Sequence, residues 1–267
     1  MITLPRTAPH RHRATLASAR AIFALVLREM STTYGRSPGG YLWAIAEPAA
    51  GILLLTLIFS IGFRAPALGT SFALFYAGGI LPFLMFLDIS NKLGQTLLFS
   101  KNLLSYPRIT FVDALLARLI LNTLTQLMVH FIILLFIVQV LDTHTVPDMG
   151  KIATAYGMVI ALAAGIGTLN SFLTAAYPLW QTIWAITTRP LFIVSCIFFI
   201  FETVPRPYAD YLWFNPLVHV VGQMRDGYFP FYHPSHVSVI YVLGLSAICL
   251  ISGLLLLRRF HRDALLK

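Results

Sequence analysis

Charged residues are scarce in this chain. Asp, Glu, Lys and Arg make up only 11% of its 267 residues, and the mean hydropathy is +0.78. Soluble domains carry about 25% charged residues. A chain this apolar has too little polar surface to face water on every side. The composition therefore excludes an ordinary soluble enzyme and predicts an integral membrane protein.

Several chemical signatures are also missing. The two cysteines, Cys196 and Cys249, both fall inside apolar segments, so no disulfide framework follows from them. The sequence contains no GxxxxGKS/T loop for binding ATP, no HExxH and no GxSxG, and its ten acidic residues are scattered. We therefore expect no catalytic site, no metal site and no cofactor in this chain.

Six apolar blocks are long enough to be membrane-spanning helices, which need about 20 residues each. We predict an all-α polytopic fold, because only helices and closed barrels satisfy their backbone groups in hydrocarbon. The fifth block is interrupted by Arg189 and Pro190, and the apolar run after them is too short to cross alone. The predicted spans are 41–63, 72–91, 112–141, 152–173, 180–204 and 237–257.

Basic residues are distributed unevenly between the two sides that these spans define. Fifteen of the 19 Lys and Arg residues lie in the N-terminal arm (1–40), around the second loop, beside the fifth span, and in the tail (258–267). Positive residues are enriched on the cytoplasmic side of membrane proteins. The net charge of +9 therefore indicates topology rather than nucleic-acid binding. We expect a retained N-terminal arm and both termini in the cytoplasm.

Three segments are predicted not to span. Residues 14–30 place apolar side chains on one face at helical spacing, which predicts an amphipathic helix in the cytoplasmic interface, compatible with packing against the bundle. The second loop, 93–108, is short and partly helical in pattern. The external segment 205–236 contains eight aromatic residues, which favours short interfacial or re-entrant helices over a solvated linker.

Two stretches carry a resemblance to a known family. Residues 33–48, TYGRSPGGYLWAIAEP, resemble the start of the first span in ABC-type permeases of the second type that export polysaccharides. Residues 215–232, NPLVHVVGQMRDGYFPFY, resemble the Asn-Pro-Leu and later Arg of that family's external segment. With the predicted topology, the likeness covers nearly the whole chain and favours the capsular polysaccharide export type. The matching positions in the first stretch are Arg36, Gly40, Leu42, Trp43, Glu47 and Pro48.

The resemblance implies a function and a set of partners. The chain would be the non-catalytic permease subunit of an ABC exporter that moves lipid-linked capsular polysaccharide across the bacterial inner membrane. It would form a homodimer whose interface makes the conduit. Two copies of a separate ATP-binding cassette subunit would bind ATP and Mg²⁺, and a periplasmic co-polymerase-type protein would meet the external segment. No nucleic acid is expected as a partner.

The candidate conduit residues lie near the cytoplasmic mouth. Glu47 falls two turns inside the first span, where an unpaired acidic side chain costs about 2.5–3.5 kcal/mol, so it should face a wet conduit or pair with a base such as Arg36. Tyr41 and Trp43 either stack on sugars or belong to an interfacial aromatic belt. Arg189 either lines the vestibule or marks the start of a helix.

Two further sets of candidates follow from the resemblance. The second loop is expected to couple ATP hydrolysis to transport through Leu97, Leu98, Lys101, Leu104, Tyr106 and Arg108. The external segment is expected to act through Tyr211, Trp213, Asn215, Pro216 and Arg225.

Other polar and small residues favour structural roles. Asp113 and Arg118, before the third apolar run, are candidates for bridging helices. Gly157, Gly165 and Gly167 suit close helix packing.

Three alternatives remain open. The same architecture could export O-antigen, teichoic acid or a lipophilic compound. A stand-alone membrane enzyme acting on lipid-linked sugars would need a carboxylate cluster or a nucleophile, and the sequence displays neither. A secondary transporter usually has more spans and paired broken helices.

Overall fold

The computed structural model describes residues 11–33, 39–104, 109–141, 143 and 145–266, and these residues form helices joined by turns, without a strand among them. A 3-10 turn spans Phe201–Thr203. The α-helices are α1 (Arg11–Thr33), α2 (Gly40–Gly62), α3 (Phe72–Gly94), α4 (Thr96–Phe99), α5 (Phe111–Val140), α6 (Met149–Ala176), α7 (Trp180–Val194), α8 (Tyr208–Leu212), α9 (Pro216–Tyr228) and α10 (Val239–Leu266).

Five helices of the described part of the chain are long and apolar enough to cross a membrane, namely α2, α3, α5, α6 and α10. The prediction of an all-α polytopic membrane protein is thereby confirmed. The predicted fifth span differs, because α7 has only 15 residues. Such a helix is about 22 Å long, against a hydrocarbon core of about 30 Å. Six crossings therefore stay a prediction, in which the non-helical chain after Val194 completes the fifth.

The observed helices extend beyond the predicted apolar limits. α6 starts at Met149 and ends at Ala176, three residues beyond the predicted span at each end. α10 continues through most of the predicted tail to Leu266. Hydropathy locates only the part of a helix that lies in lipid, whereas Arg and Leu favour helical backbone in either environment. The tail is therefore a helical extension of the last span.

α3 and α6 form the centre of the bundle. In their most apolar windows, 78% of the α3 residues and 56% of the α6 residues are buried, against 11% for α2 and 17% for α10. α6 packs against α3, α9 and α10, and α3 also contacts α2 and α5. The outer helices therefore expose most of their apolar surface, which suits contact with lipid or with another copy.

The bundle has two sides, because successive long helices alternate in direction. Phe111 at the start of α5 meets His261 near the end of α10, on the side that also carries α1 and α4. We call this the α1 side. Lys151 at the start of α6 forms an ion pair with Asp226 near the end of α9, on the opposite side, which we call the α8 side.

Glycines bring α6 into backbone contact with its neighbours. A Cβ atom at Gly165 would meet the backbone oxygen of Ser246 on α10, and one at Gly167 would meet α3 at Leu93 and Ser90. A Cβ at Gly157 would meet nothing within 4 Å in the single chain. The predicted role in close packing is confirmed for Gly165 and Gly167, whereas Gly157 meets no neighbour within the single chain, since spacing alone does not identify which face meets a neighbour.

Gly165→Ala is expected to lower the free energy of unfolding by about 1–3 kcal/mol, because the added methyl group overlaps backbone that cannot rotate away. The measurement is the fraction of detergent-solubilised protein that stays monodisperse on size exclusion after heating. Gly157→Ala in the same helix is the matched control and should be neutral or mildly stabilising. Equal stability of the two variants would show that α6 and α10 are not in backbone contact.

Candidate conduit and coupling surfaces

The predicted conduit residues of the first span lie on an exposed face of α2. The helix begins at Gly40 after Gly39, whose φ of 84° is the left-handed conformation that glycine adopts most easily. Trp43 is 68% exposed, and Glu47, one turn further on, is also exposed. Glu47 therefore points away from the core of its own chain. The side chain of Tyr41 and all of Arg36 lie outside the described residues.

Arg189 lies in the third turn of α7, so the alternative that it marks the start of a helix is wrong. No residue of α7 is buried. The helix is attached through two indoles: Trp180 Nε1 donates to Asn170 Oδ1 at 2.9 Å, and Trp184 Nε1 donates to Asn91 Oδ1 at 2.8 Å. Both bonds are made near the α1 side, and Arg189 lies beyond them on the exposed surface.

One copy of the chain does not bring the two predicted conduit charges together. Among the ion pairs of the described residues, none contains Glu47 or Arg189. Both side chains are exposed on helices that are themselves mostly exposed. Each charge therefore points out of the single chain, away from its core.

The second loop forms the short helix α4 and presents a different surface from the one predicted. Leu97 is fully buried in the core, whereas Leu98 is 47% and Phe99 is 42% exposed. Leu97 therefore fixes the loop to the bundle, and the two residues after it form the apolar surface that a partner can reach. Phe99 was missed in the sequence because a short apolar run has no periodicity that separates inward from outward positions.

The other predicted coupling residues follow α4. Lys101 is exposed, and Leu104 is half-buried against the core. Tyr106 and Arg108 lie outside the described residues. Among the described residues of the loop, the exposed surface therefore comprises Gln95, Leu98, Phe99, Lys101 and Asn102.

A buried arginine ties this loop to three helices. Arg118 on α5 donates from Nη1 to the Lys92 backbone oxygen at 2.7 Å, and its Nη2 lies 3.0 Å from Glu29 Oε1 on α1. Its guanidinium also covers the Phe99 ring, 4.1 Å from the centroid. The predicted helix-bridging role of Arg118 is confirmed, whereas Asp113 closes a capping box at the start of α5.

α1 is amphipathic, as predicted, and it docks through the half-buried Ile22, Leu25 and Val26 together with Glu29, while its other apolar residues face away from the bundle. Phe23 is 64%, Leu27 is 50% and Met30 is 38% exposed, whereas Glu29 is buried beside Arg118. An apolar face turned away from the protein is what a helix lying in the membrane interface requires. Sequence reasoning missed Glu29, because its position on the polar face indicated only solvation.

On the α8 side, Arg225 is fully buried and holds the chain that follows α7. Its Nη1 donates to the backbone oxygens of Cys196 at 2.8 Å and Phe199 at 2.9 Å, and its Nη2 donates to that of Ile197 at 2.8 Å. The guanidinium lies 4.1 Å from the centroid of the Phe75 ring. The sequence placed Arg225 among the candidates of the external segment, whereas in the structure its guanidinium replaces the missing helical hydrogen bonds of the chain after α7.

Asn215 joins the end of α7 to the start of α9. Its Nδ2 donates to the Val194 backbone oxygen and to Ser195 Oγ, both at 3.1 Å. Its Oδ1 accepts from the Leu217 backbone nitrogen at 3.0 Å, which caps α9, and Pro216 occupies the first turn. The Asn-Pro-Leu stretch is therefore a helix cap for α9 that also binds the end of α7.

The rest of the external segment contains a hydrogen-bonded polar cluster. Glu202 accepts from the Tyr232 hydroxyl at 2.9 Å and from His236 Nδ1 at 3.1 Å, and Trp213 Nε1 donates to the His236 backbone oxygen at 3.1 Å. Burial lowers the pKa of His236, although Glu202 opposes that shift, so the imidazole is neutral near pH 7. Tyr211 is 75% exposed and lies on the outer surface.

Comparisons with known proteins agree with this arrangement. The model of the ABC-2 type transporter family matches residues 20–229. The polysialic acid transport protein KpsM of Escherichia coli is 32% identical over 88% of this chain and 91% of its own length. The capsule polysaccharide export inner-membrane proteins CtrC of Neisseria meningitidis and BexB of Haemophilus influenzae are similar over comparable lengths, with 23% and 22% identity. CtrC matches over 92% of this chain and 93% of its own length, and BexB over 91% and 92%.

Proposed function

Because the chain belongs to the ABC-2 type transporter family, we propose that it is the permease subunit of an ATP-driven exporter that moves lipid-linked capsular polysaccharide across the bacterial inner membrane. The observation that carries this proposal is the likeness to a polysialic acid transport protein over 88% of the chain, rather than over one motif. The permease itself catalyses no reaction, and the ATPase activity belongs to a separate subunit.

The exposed faces of α2 and α7 support a homodimer with the conduit at its interface. No residue of α7 is buried, and its exposed residues include Gln181, Thr182 and Arg189. Polar side chains facing lipid are costly, and in membrane proteins they face the bundle interior or a water-filled cavity. A second copy that covers these faces removes the cost and encloses a polar path, in which Trp43 and Glu47 lie near one mouth.

The α1 side supports docking of the motor subunits and is assigned to the cytoplasm. It carries most of the basic residues, as cytoplasmic surfaces do. Leu98 and Phe99 are apolar and exposed there, which suits contact with an ATP-binding cassette subunit, one for each copy of the permease. ATP and Mg²⁺ bind to that partner. Arg118, which contacts the loop and α1 together, transmits the partner's movement to the bundle.

The α8 side is assigned to the periplasm and to the polymer's exit. Four of its aromatic side chains are more than half exposed: Tyr208, Tyr211, Phe214 and Phe231. Aromatic residues are enriched in protein interfaces. This surface therefore suits a periplasmic co-polymerase-type partner that receives the polymer.

Deletion of the gene in its own host is the experiment that tests the function. Surface polysaccharide should disappear while finished polymer accumulates inside the cell, because synthesis continues without export. Expression of the chain from a plasmid should restore the surface polymer. Surface polysaccharide at the normal level in the deletion strain would contradict the proposed cargo, and loss of polymer from both compartments would indicate an enzyme of synthesis instead.

A further inference from the structure

Glu47 and Arg189 are opposite charges on α2 and α7, two helices that the single chain leaves largely exposed. Neither takes part in an ion pair among the described residues. An acidic or basic side chain inside an apolar span is stable only when it is hydrated or paired. Whether the two charges can satisfy each other depends on their depth along the bundle.

The depth of Arg189 follows from the contacts between α7 and α3. Trp184 is hydrogen-bonded to Asn91, and the Phe192 ring meets the Phe83 ring edge-on with centroids 5.2 Å apart. The separation of eight residues from Trp184 to Phe192 on α7 thus matches the eight residues from Asn91 back to Phe83 on α3. The two helices therefore run antiparallel, side by side, over this length. Arg189 lies between these contacts, about 7.5 Å beyond Trp184 at 1.5 Å per residue.

The depth of Glu47 follows from the contact between α2 and α3. The Phe59 ring lies 5.2 Å from the Tyr76 ring, and a short connection makes the helices antiparallel. Glu47 precedes Phe59 by twelve residues, which places it about 18 Å closer to the α1 side. Twelve residues along α3 from Tyr76 lead to Asp88, which lies between Phe83 and Asn91. Glu47 and Arg189 therefore lie within about one helical turn of the same depth.

We propose that the Glu47 carboxylate of one copy forms an ion pair with the Arg189 guanidinium of the other copy across the dimer interface. The inference rests on the proposed function for the existence of the homodimer. It adds the contact that aligns the two copies, with α2 of one facing α7 of the other. In a two-fold interface each contact occurs twice, so two equivalent pairs form on either side of the axis.

The pair also makes the contact between the two copies sensitive to water in the conduit. Attraction between two charges is strong in a low-dielectric interface and falls steeply when water enters between them. A dimer contact made by ion pairs is therefore stable while the conduit is dry, and it weakens when a hydrated, polar polymer arrives. A dimer contact made by apolar side chains would not weaken in this way.

Charge exchange between copies tests the pair and separates it from an interaction within one chain. Glu47→Arg alone and Arg189→Glu alone should each lower export tenfold or more. When the two single variants are co-expressed with different tags, each mixed dimer contains two opposite-charge pairs, one of the original polarity and one of reversed polarity. About half of the dimers are mixed under random association, so export should recover to about half the normal level. No recovery from co-expression would overturn the proposal.

Cross-linking gives a readout that does not depend on transport. Chains carrying Glu47→Cys and Arg189→Cys under different tags should give an oxidised dimer that contains both tags. The control replaces Glu47→Cys with Ile61→Cys, which is 88% exposed on the same helix but about 21 Å further along. The control should not cross-link to Arg189→Cys. Equal cross-linking in both combinations, or in neither, would overturn the pairing.

The outcomes distinguish the pair from the function on which it rests. A chain that purifies as a dimer with its motor subunits, but shows neither recovery nor selective cross-linking, retains the exporter function and loses only the pair. A chain that stays monomeric in membranes and still exports polymer overturns both. Equal membrane levels of all variants, measured by immunoblot, establish that each effect arises in the assembled protein.

Discussion

Arg225→Met is expected to lower the melting temperature of the folded protein strongly. The buried guanidinium donates to the backbone oxygens of Cys196, Ile197 and Phe199, which lie where the chain leaves α7 and has no helical partners. Methionine fills part of the volume but donates nothing. Each buried acceptor left without a donor costs about 1–3 kcal/mol, so the total is a large part of a typical stability of about 5–15 kcal/mol.

The measurement is the temperature at which half of the solubilised protein loses its monodisperse elution, with a decrease of about 10 °C or more expected. Arg206→Met is the matched control, because Arg206 is exposed on the same side, and its substitution should change little. Arg225→Lys should fall between the two, since one ammonium cannot serve three acceptors in different directions. Identical melting of Arg225→Met and Arg206→Met would mean that the guanidinium does not hold this segment.

Arg118→Met is expected to uncouple ATP hydrolysis from export while leaving the complex assembled. The substitution removes the guanidinium that contacts Phe99, Glu29 and the Lys92 backbone oxygen, which leaves the more distant Arg28 guanidinium, 5.3 Å from the centroid of the Phe99 ring, as the contact between α1 and α4. Leu97 stays buried and keeps the loop in place, so the motor subunit still finds its docking surface. Coupling energies of about 1–3 kcal/mol correspond to about 5–150-fold, so export should fall about tenfold or more.

The measurement compares ATP hydrolysis with polymer export in vesicles that contain the purified complex. Arg258→Met is the control, because Arg258 is exposed on α10 on the same side of the bundle. Glu29→Gln should reproduce part of the effect, and the combination with Arg118→Met should cost less than the sum, since both changes break one contact. Additive effects, or normal export by Arg118→Met, would remove Arg118 from the transmission path.

The long helices were predictable because they depend on composition alone. A lipid environment demands apolar residues over a fixed length, and α2, α3, α5 and α6 satisfy that demand continuously. The family resemblance was likewise readable from residues that are close in sequence. Leu-Trp near the start of α2 and Asn-Pro-Leu at the start of α9 are local patterns, and the second is a helix cap with a local physical cause.

The end of α7 was not predictable, because its cause lies elsewhere in the chain. Residues 191–200 are as apolar as a helix interior, yet the helix stops at Val194. The carbonyl groups beyond it are satisfied by Arg225, which lies 26 to 29 residues away in sequence. Hydropathy cannot register a donor that arrives from another helix, so the sequence predicted a fifth span over 180–204 with its interruption at Arg189 and Pro190, whereas the helix continues through both residues and ends at Val194.

The inward or outward direction of single residues was the other limit. Leu97 and Leu98 are chemically equivalent neighbours, and only the packing of α4 buries the first and exposes the second. Glu29 was placed on the solvated face of α1, but its partner Arg118 comes from α5. Such assignments require the tertiary arrangement, because a neighbour's identity decides which side of a helix is inside.

The glycine contacts of α6 have a mechanical consequence. Backbones that touch at Gly165, Gly167 and Gly253 cannot slide past one another without steric overlap, so α3, α6 and α10 behave as one stiff column. α7 is fastened to that column by indole hydrogen bonds near its first residues. α7 contacts α3 again near its far end, where the Phe192 ring meets the Phe83 ring, so a displacement of the column carries the whole of α7 with it. The same displacement reaches α9, because Asn215 binds the Val194 backbone oxygen at the end of α7.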